Sequence, residues 1–237
     1  MTRRKRPSAW WHIIVLCWFF SVALLAGCSS VQSPATSGTA ATDEAPVIKT
    51  IAVIPFRNII PEDPSVGYVK CPLIGAYFLS SAPCSGTPEE TIESALVKKM
   101  EKYRNITLFE LGRVREAYLM ARSDSLTADP YNIIRKVGVD LGVDAVLAGY
   151  IYRYRERRGY AYAVEQPASV AFGIYLVRVN DGALVWKGVF DKTQSSLMEN
   201  ILDVKTFIKG HGTWLTAKQL AEAGIDQILT TFPGESE

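Results

Sequence analysis

The chain has 237 residues, 48% of them hydrophobic and 21% charged, with 26 Lys and Arg against 24 Asp and Glu. That apolar fraction excludes a wholly disordered chain, and the near balance of charge excludes the basic footprint of a nucleic-acid-binding protein. Four of the basic residues lie at positions 3–6 and residues 1–27 hold no acid, so the remainder carries 22 basic against 24 acidic groups, a formal net charge of −2.

Thr2-Arg3-Arg4-Lys5-Arg6 makes a positive start, followed by an apolar core over residues 13–25. This core is too short for a comfortable span of about 20 residues, and Ala26-Gly27 supply the small residues of a cleavage site. Leu25-Ala26-Gly27-Cys28 resembles the lipobox of bacterial lipoproteins. The resemblance implies a signal peptide over 1–27, acylation of Cys28 on sulfur and amine with palmitate-type chains, and anchoring far firmer than one chain gives. Lys5-Arg6-Pro7 stands where a twin-arginine signal wants apolar residues, which points to ordinary secretion. Ser29 rather than an acidic residue follows the cysteine. In a diderm bacterium this implies attachment to the outer membrane, facing the periplasm.

Residues 29–46 are rich in Ser, Ala, Thr, Pro and Gly without apolar periodicity and read as a flexible tether. At roughly 5–6 Å times the square root of its length, its typical reach is about 20–25 Å. Cys28 and this tether make a segment over 28–46, and residues 47–237 suit a single folded domain. Cys17 leaves with the signal peptide and Cys28 carries lipid, so Cys71 and Cys84 remain as an even pair in an oxidising compartment. A disulfide is expected between them, closing a loop over 57–87 in which Pro61, Pro64, Pro72 and Pro83 argue against regular structure. Its expected stabilisation is about 3 kcal/mol. A redox-active pair would show Cys-x-x-Cys spacing instead.

Residues 49–56 are a short β-branched run that reads as a buried strand ending at Pro55. Thr87-Pro88-Glu89-Glu90 supplies an N-cap, a proline at the first helical position and a capping-box glutamate, and Ile92, Leu96, Met100 and Tyr103 line one face of the helix that follows. A second short strand over 105–109 precedes a weaker amphipathic stretch through Val114 and Leu119. Asp129-Pro130 starts another helix, carried by Ile133, Ile134, Val137 and Leu141 and stopped by Gly142. Strands follow over 143–150, 169–179 and 184–189, the last two joined by the Asn180-Asp181-Gly182 turn. Ser196-x-x-Glu199 and Thr216-x-x-Gln219 open two further helices. The order predicts an α/β (α+β) domain with a single mixed β-sheet of about five strands flanked by helices.

Three segments carry a resemblance: Val53-Ile54-Pro55-Phe56, the passage Leu141-Gly142-Val143-Asp144-Ala145-Val146-Leu147-Ala148-Gly149, and Val179-Asn180-Asp181-Gly182-Ala183-Leu184-Val185-Trp186. They resemble the signature segments of the CsgG-like and TolB amino-terminal-like domains over residues 49–190. Members include a curli secretion lipoprotein and an outer-membrane activator of a penicillin-binding protein. The resemblance implies the fold and the envelope compartment, since its motifs are fold-forming glycines and apolar strands.

His12 leaves with the signal peptide, so His211 is the only mature histidine; it sits between Gly210 and Gly212 and reads as a loop residue. No Walker loop or dinucleotide glycine motif is present. Asp140 and Asp144 straddle a helix end as turn carboxylates. No enzyme, cofactor or metal site is therefore expected. The conspicuous surface candidate is the stretch holding Tyr150, Tyr152, Arg153, Tyr154, Arg155, Arg157, Arg158, Tyr160 and Tyr162. If it is a hairpin turning near Arg158-Gly159, period two places Tyr150, Tyr152 and Tyr154 on one face and Ile151, Arg153 and Arg155 on the other. Tyr and Arg are enriched in binding hot spots, which makes this ribbon a candidate partner-docking surface, an ordinary strand pair with a solvated tip being the alternative.

The expected function is that of a non-enzymatic, lipid-anchored, periplasm-facing adaptor or assembly factor of the cell envelope. Its expected partners are the membrane, through the lipid, and other envelope proteins. Two alternatives remain: an oligomeric outer-membrane secretion channel of the curli type, a homo-oligomer, and a ligand- or glycan-binding envelope protein. Residues 191–214 show helical spacing where a channel of that type needs alternating strands.

Overall fold

The structure is a computed structural model that describes residues 48–61, 63, 65–80, 84, 86–124, 129–160, 163–194 and 214–234. The signal peptide, Cys28 and the tether lie outside these, as do Tyr162, His211 and the helix expected from Ser196. In chain order the elements are β1 (Thr50–Val53), β2 (Arg57–Asn58), β3 (Tyr68–Lys70), β4 (Tyr77–Leu79), α1 (Pro88–Met100), β5 (Thr107–Leu108), α2 (Leu111–Ser123), α3 (Pro130–Leu141), β6 (Ala145–Arg155), β7 (Arg158–Gly159), β8 (Val164–Gln166), β9 (Ser169–Arg178), β10 (Leu184–Thr193) and α4 (Ala217–Leu229). This is an α+β fold: one mixed sheet, ordered β10-β9-β6-β1-β5 with β2 added on β6, flanked by four helices.

The chain order explains the layers. β1 pairs in parallel with β5 on one side and β6 on the other. Parallel crossovers are right-handed, so stepping from β1 out to β5 and then back across β1 to β6 throws the connecting helices onto opposite faces. Accordingly α1 places Ile92, Leu96 and Met100 on one face of the sheet together with α4. Val114 and Tyr118 of α2 and Ile134 and Val137 of α3 pack on the other face. β6 and β9, covered on both faces, are buried along nearly their whole length. Gly149 lets the first of these strands pass under an aromatic ring, since a Cβ there would lie 2.4 Å from Phe56.

Most start and stop signals act as read. Asp129 accepts from Tyr131 N at the start of α3, and Gly142 ends that helix in the left-handed region at φ 66°. Thr216 and Gln219 form a complete capping box on α4. The Asn180-Asp181-Gly182 segment joins β9 to β10, with Arg178 holding the Asp181 carboxyl down to about 2. Two expectations are corrected. Thr87 makes no side-chain cap on α1; its carbonyl instead accepts from Thr91 Oγ1 at 2.9 Å. Residues 57–87, expected to be irregular, contain β2 and the antiparallel β3–β4 hairpin. Pro61 precedes β3 and Pro72 lies in the connection between β3 and β4, where Gly75 at φ 68° takes the turn, so neither proline enters a strand; Pro64 and Pro83 lie outside the described residues.

Asp144, read as a turn carboxylate, joins the first strand to the third helix's exit. Its Oδ2 accepts from Thr50 N at 2.8 Å, Lys49 N at 2.9 Å and Thr50 Oγ1 at 2.9 Å, while Asp144 N donates back to Thr50 Oγ1 at 3.0 Å. The Thr50 and Lys49 amides hold this carboxyl below its ordinary value. We expect Asp144→Ala to cost about 1–2 kcal/mol at pH 7, the lower range for charged hydrogen bonds because the group is exposed. With the folded pKa depressed, the contribution is fully present above the unfolded value and disappears as pH falls through the folded one. Urea unfolding at pH 7 and in strong acid checks this: the two proteins should differ at neutrality and converge in acid.

Candidate docking surface

β6 does not alternate evenly to its end. Its pairing with β9 shifts between Ile151, opposite Phe172, and Arg153, opposite Ala171, leaving Tyr152 as the extra residue of a bulge. Tyr150 and Tyr152 therefore lie in the layer of α2 and α3, whereas Tyr154 crosses to the layer of α1 and α4 beside Ile151. All three tyrosines are buried, and so is Arg153. The expected aromatic face and basic face thus do not form; these residues are core. The turn also falls later than Arg158-Gly159: β7 pairs with β8, and Tyr160 and Ala163 exchange hydrogen bonds across it. Of the ribbon's residues, Arg155 and Arg157 are half-buried, and only Arg158 and Tyr160, the latter 83% accessible, stand exposed among the described residues.

What the bulge builds instead is a support. Arg153, 6% accessible, sends Nε to Ser169 Oγ at 2.6 Å, one terminal nitrogen to the Leu79 carbonyl at 2.9 Å and the other to Asp191. Ser169 in turn hydrogen-bonds Thr193. One guanidinium fork therefore ties β9 and β10 to the last residue of β4, a geometry that a point-charge lysine cannot reproduce. Beside it Phe78 stacks on Tyr152 with ring centroids 3.9 Å apart and planes 1° apart, and Tyr152 Oη shares a 2.9 Å hydrogen bond with Tyr175 Oη. At the strand's exit, Glu156 accepts from Ala217 N at 3.1 Å, a carboxylate at the N-terminus of α4.

The hairpin so held has two unlike faces. Tyr68 pairs with Leu79, Val69 with Phe78 and Lys70 with Tyr77, so Val69 and Phe78 point into the sheet. Tyr68, Lys70, Tyr77 and Leu79 share the outer face. That face is open: Tyr77 is 70% accessible, Tyr68 54% and Leu79 53%, with Ile60 at 69% beside them. The Lys70 ammonium lies 6.0 Å from the Tyr77 ring centre. Ile59, Ile60, Pro61 and Val66 complete, with the two tyrosines, a groove of about 420 Å³ whose polar members are Asp63 and Lys70. Sequence reasoning missed this surface. The signal was present in the alternation of Tyr68-Val69-Lys70 and Tyr77-Phe78-Leu79, but three-residue strands between prolines give a period too brief to stand out.

The disulfide expected between Cys71 and Cys84 is not formed, and both are free thiols. Cys71 is buried in the layer of α2 and α3, its Sγ 3.4 Å from Tyr175 Oη. Cys84 packs against the opposite layer, its Sγ 3.5 Å from Asn58 Oδ1. The two sulfurs thus pack with different clusters, one on each face of the sheet. Burial pushes the Cys84 thiol up and so leaves little nucleophilic thiolate. Burial likewise lifts the phenols of Tyr150, Tyr152 and Tyr175, and raises Tyr154 to about 12. Among the described residues no group of three or more His, Cys, Asp or Glu side chains is placed to hold a metal ion.

No family model matches the chain, and no curated protein matches it. Among solved structures it is similar to the PelC dodecamer from Paraburkholderia phytofirmans, at 14% identity over 77% of this chain and 86% of that one, with a TM-score of 0.40. It is also similar to the hypothetical protein CT253 from Chlamydia trachomatis, at 11% identity over 78% and 95% of the two chains, TM-score 0.45. A third is the lipoprotein GNA1162 from Neisseria meningitidis, at 15% identity over 68% and 96%, TM-score 0.40.

Proposed function

We propose that this chain is a non-enzymatic lipoprotein, anchored through Cys28 and facing the periplasm, that serves as an adaptor or assembly factor of the cell envelope through protein–protein contacts. The observation that carries the reading is the outer face of the β3–β4 hairpin. Two tyrosines, a leucine and an isoleucine stand in solvent there on a support locked by Arg153. Scattered exposed apolar residues need no explanation, but a contiguous apolar cluster rimmed by charge marks an interaction site. The lipobox and the 18-residue tether supply the membrane attachment such an adaptor needs.

The test uses the full chain made in a diderm host and fed radiolabelled palmitate. The wild-type protein should take up label and run at the mass of the cleaved form, whereas Cys28→Ser should remain unlabelled and keep its signal peptide. Light scattering and negative-stain imaging of the detergent-extracted protein should show a small species without rings. Closed rings would replace the adaptor with an oligomeric channel.

A further inference from the structure

We infer that β10 pairs with β10 of a second copy of this chain, antiparallel and centred on Val189, so that the two sheets join across a twofold axis. The inference stands apart from the adaptor reading, which holds for a monomer and for a dimer alike. β10 ends the main sheet, and among the described residues no strand adds to its outer side. The opposite end of the sheet is β5, two residues long, whereas β10 runs for ten. An edge of that length presents a row of backbone donors and acceptors to any strand that matches it. It holds no proline, and its one irregularity, between Leu184 and Trp186, comes before the stretch that would pair.

Which groups face outward follows from the ladder. Gln194 N donates to the Ala168 carbonyl at 3.0 Å, one step beyond the Thr193–Ser169 pair. Bonded and unbonded pairs alternate along an antiparallel ladder. Lys192, Phe190, Gly188 and Trp186 therefore turn their amides and carbonyls to β9, and Asp191, Val189 and Lys187 direct theirs away from it. The side chains of the latter three are exposed as well.

The charges choose the occupant. Lys187 and Asp191 lie two residues either side of Val189, which is 38% accessible. When the strand meets its own copy with Val189 opposite Val189, the Lys187 of each copy falls opposite the Asp191 of the other. Centring on 187 or 191 would set lysine against lysine or aspartate against aspartate, and like charges directly opposed destabilise a sheet. Any other centre leaves the two charges unmatched. Arg153 takes Oδ1 of Asp191, and the carboxyl, 40% accessible, keeps its second oxygen for the lysine. The join would form about six backbone hydrogen bonds, two at each of three pairs, with a β-branched pair at its centre. Because both copies use the same edge, the assembly closes at two and builds no ring.

The experiment uses the full chain in mild detergent. A cysteine is placed at Val189 and, separately, at the exposed Thr193, and mild oxidation is followed on a non-reducing gel with the unsubstituted chain as blank. Val189→Cys should give a disulfide-linked dimer, since opposed Cα atoms stand about 5.5 Å apart. Thr193→Cys, about 26 Å from its own copy at about 3.3 Å per residue, should link at least about tenfold less. In light scattering the unsubstituted protein should pass from one chain to two as it is concentrated. Lys187→Glu should raise the dissociation constant at least about tenfold, because it opposes like charges twice, while its urea midpoint stays that of the parent, since residue 187 is exposed. A protein that stays monomeric as it is concentrated, a dimer untouched by Lys187→Glu, or equal linking at 189 and 193 would each overturn the inference and leave the adaptor reading standing.

Discussion

Tyr152→Ala is expected to lower stability by about 3–5 kcal/mol, the range for removing a buried aromatic side chain. The ring is fully buried, lies flat on Phe78 at 3.9 Å and sits between the sheet and the hairpin. Its loss opens a cavity that neither can fill without moving. Tyr152→Phe isolates the hydroxyl: the Tyr175 phenol keeps the Cys71 sulfur at 3.4 Å, so the cost should be about 1–2 kcal/mol. Burial, foremost, raises both phenols. Their contribution is therefore constant below pH about 10 and declines as pH rises further, never toward acid. Tyr77→Ala, on the same hairpin but exposed, should change stability by no more than about 0.5 kcal/mol. Urea unfolding of the variants gives the comparison. Equal effects at 152 and 77 would contradict the two-faced hairpin.

Arg153→Ala should cost about 2–3 kcal/mol and, beyond that, release the hairpin. The guanidinium makes three charge-assisted or buried hydrogen bonds, to Ser169, the Leu79 carbonyl and Asp191. Removing one partner of a fully buried pair costs about 3–5 kcal/mol, but Asp191 reaches solvent and can be rehydrated, which brings the figure down. Amide exchange in residues 68–79 should accelerate in the variant while α1 and α4 keep their protection, since those helices pack on the other face. Arg153→Lys should recover only part of the loss, because a single ammonium cannot span all three acceptors. Unchanged exchange in the hairpin would show that its inner apolar residues, Val69, Cys71 and Phe78, hold it without the guanidinium. The same variant tells whether docking requires a rigid hairpin: fixed aromatic rings bind a partner without first being ordered, and binding weakens when that order must be created on contact.

The local features of this chain were legible from its residues. Asp129-Pro130 and Gly142 bound α3, Thr216 and Gln219 cap α4, and the β-branched runs became β1, β6 and β9. Each is decided within a few residues, by a side chain reaching a nearby amide or by a backbone angle only glycine takes easily. The mixed sheet followed from the same signals, because the order of strands and helices leaves few ways to cross over.

The exposed hairpin face was not legible, since it depends on partners far apart in sequence. One extra residue at Tyr152 reverses the facing of everything after it, burying Tyr154 on the opposite side from Tyr152 and turning Arg153 from an expected surface cation into the brace of a hairpin 74 residues away. Period two holds only while pairing stays in register, and the register is set by β9, not by β6 itself. The thiols make the same point. Their even number and compartment suggested a bond, but the sheet that runs between Cys71 and Cys84 is assembled from strands spanning the whole domain. Sequence decided where the chain turns and which stretches seek burial; only the packed sheet decided which tyrosines it hides and which it leaves in solvent.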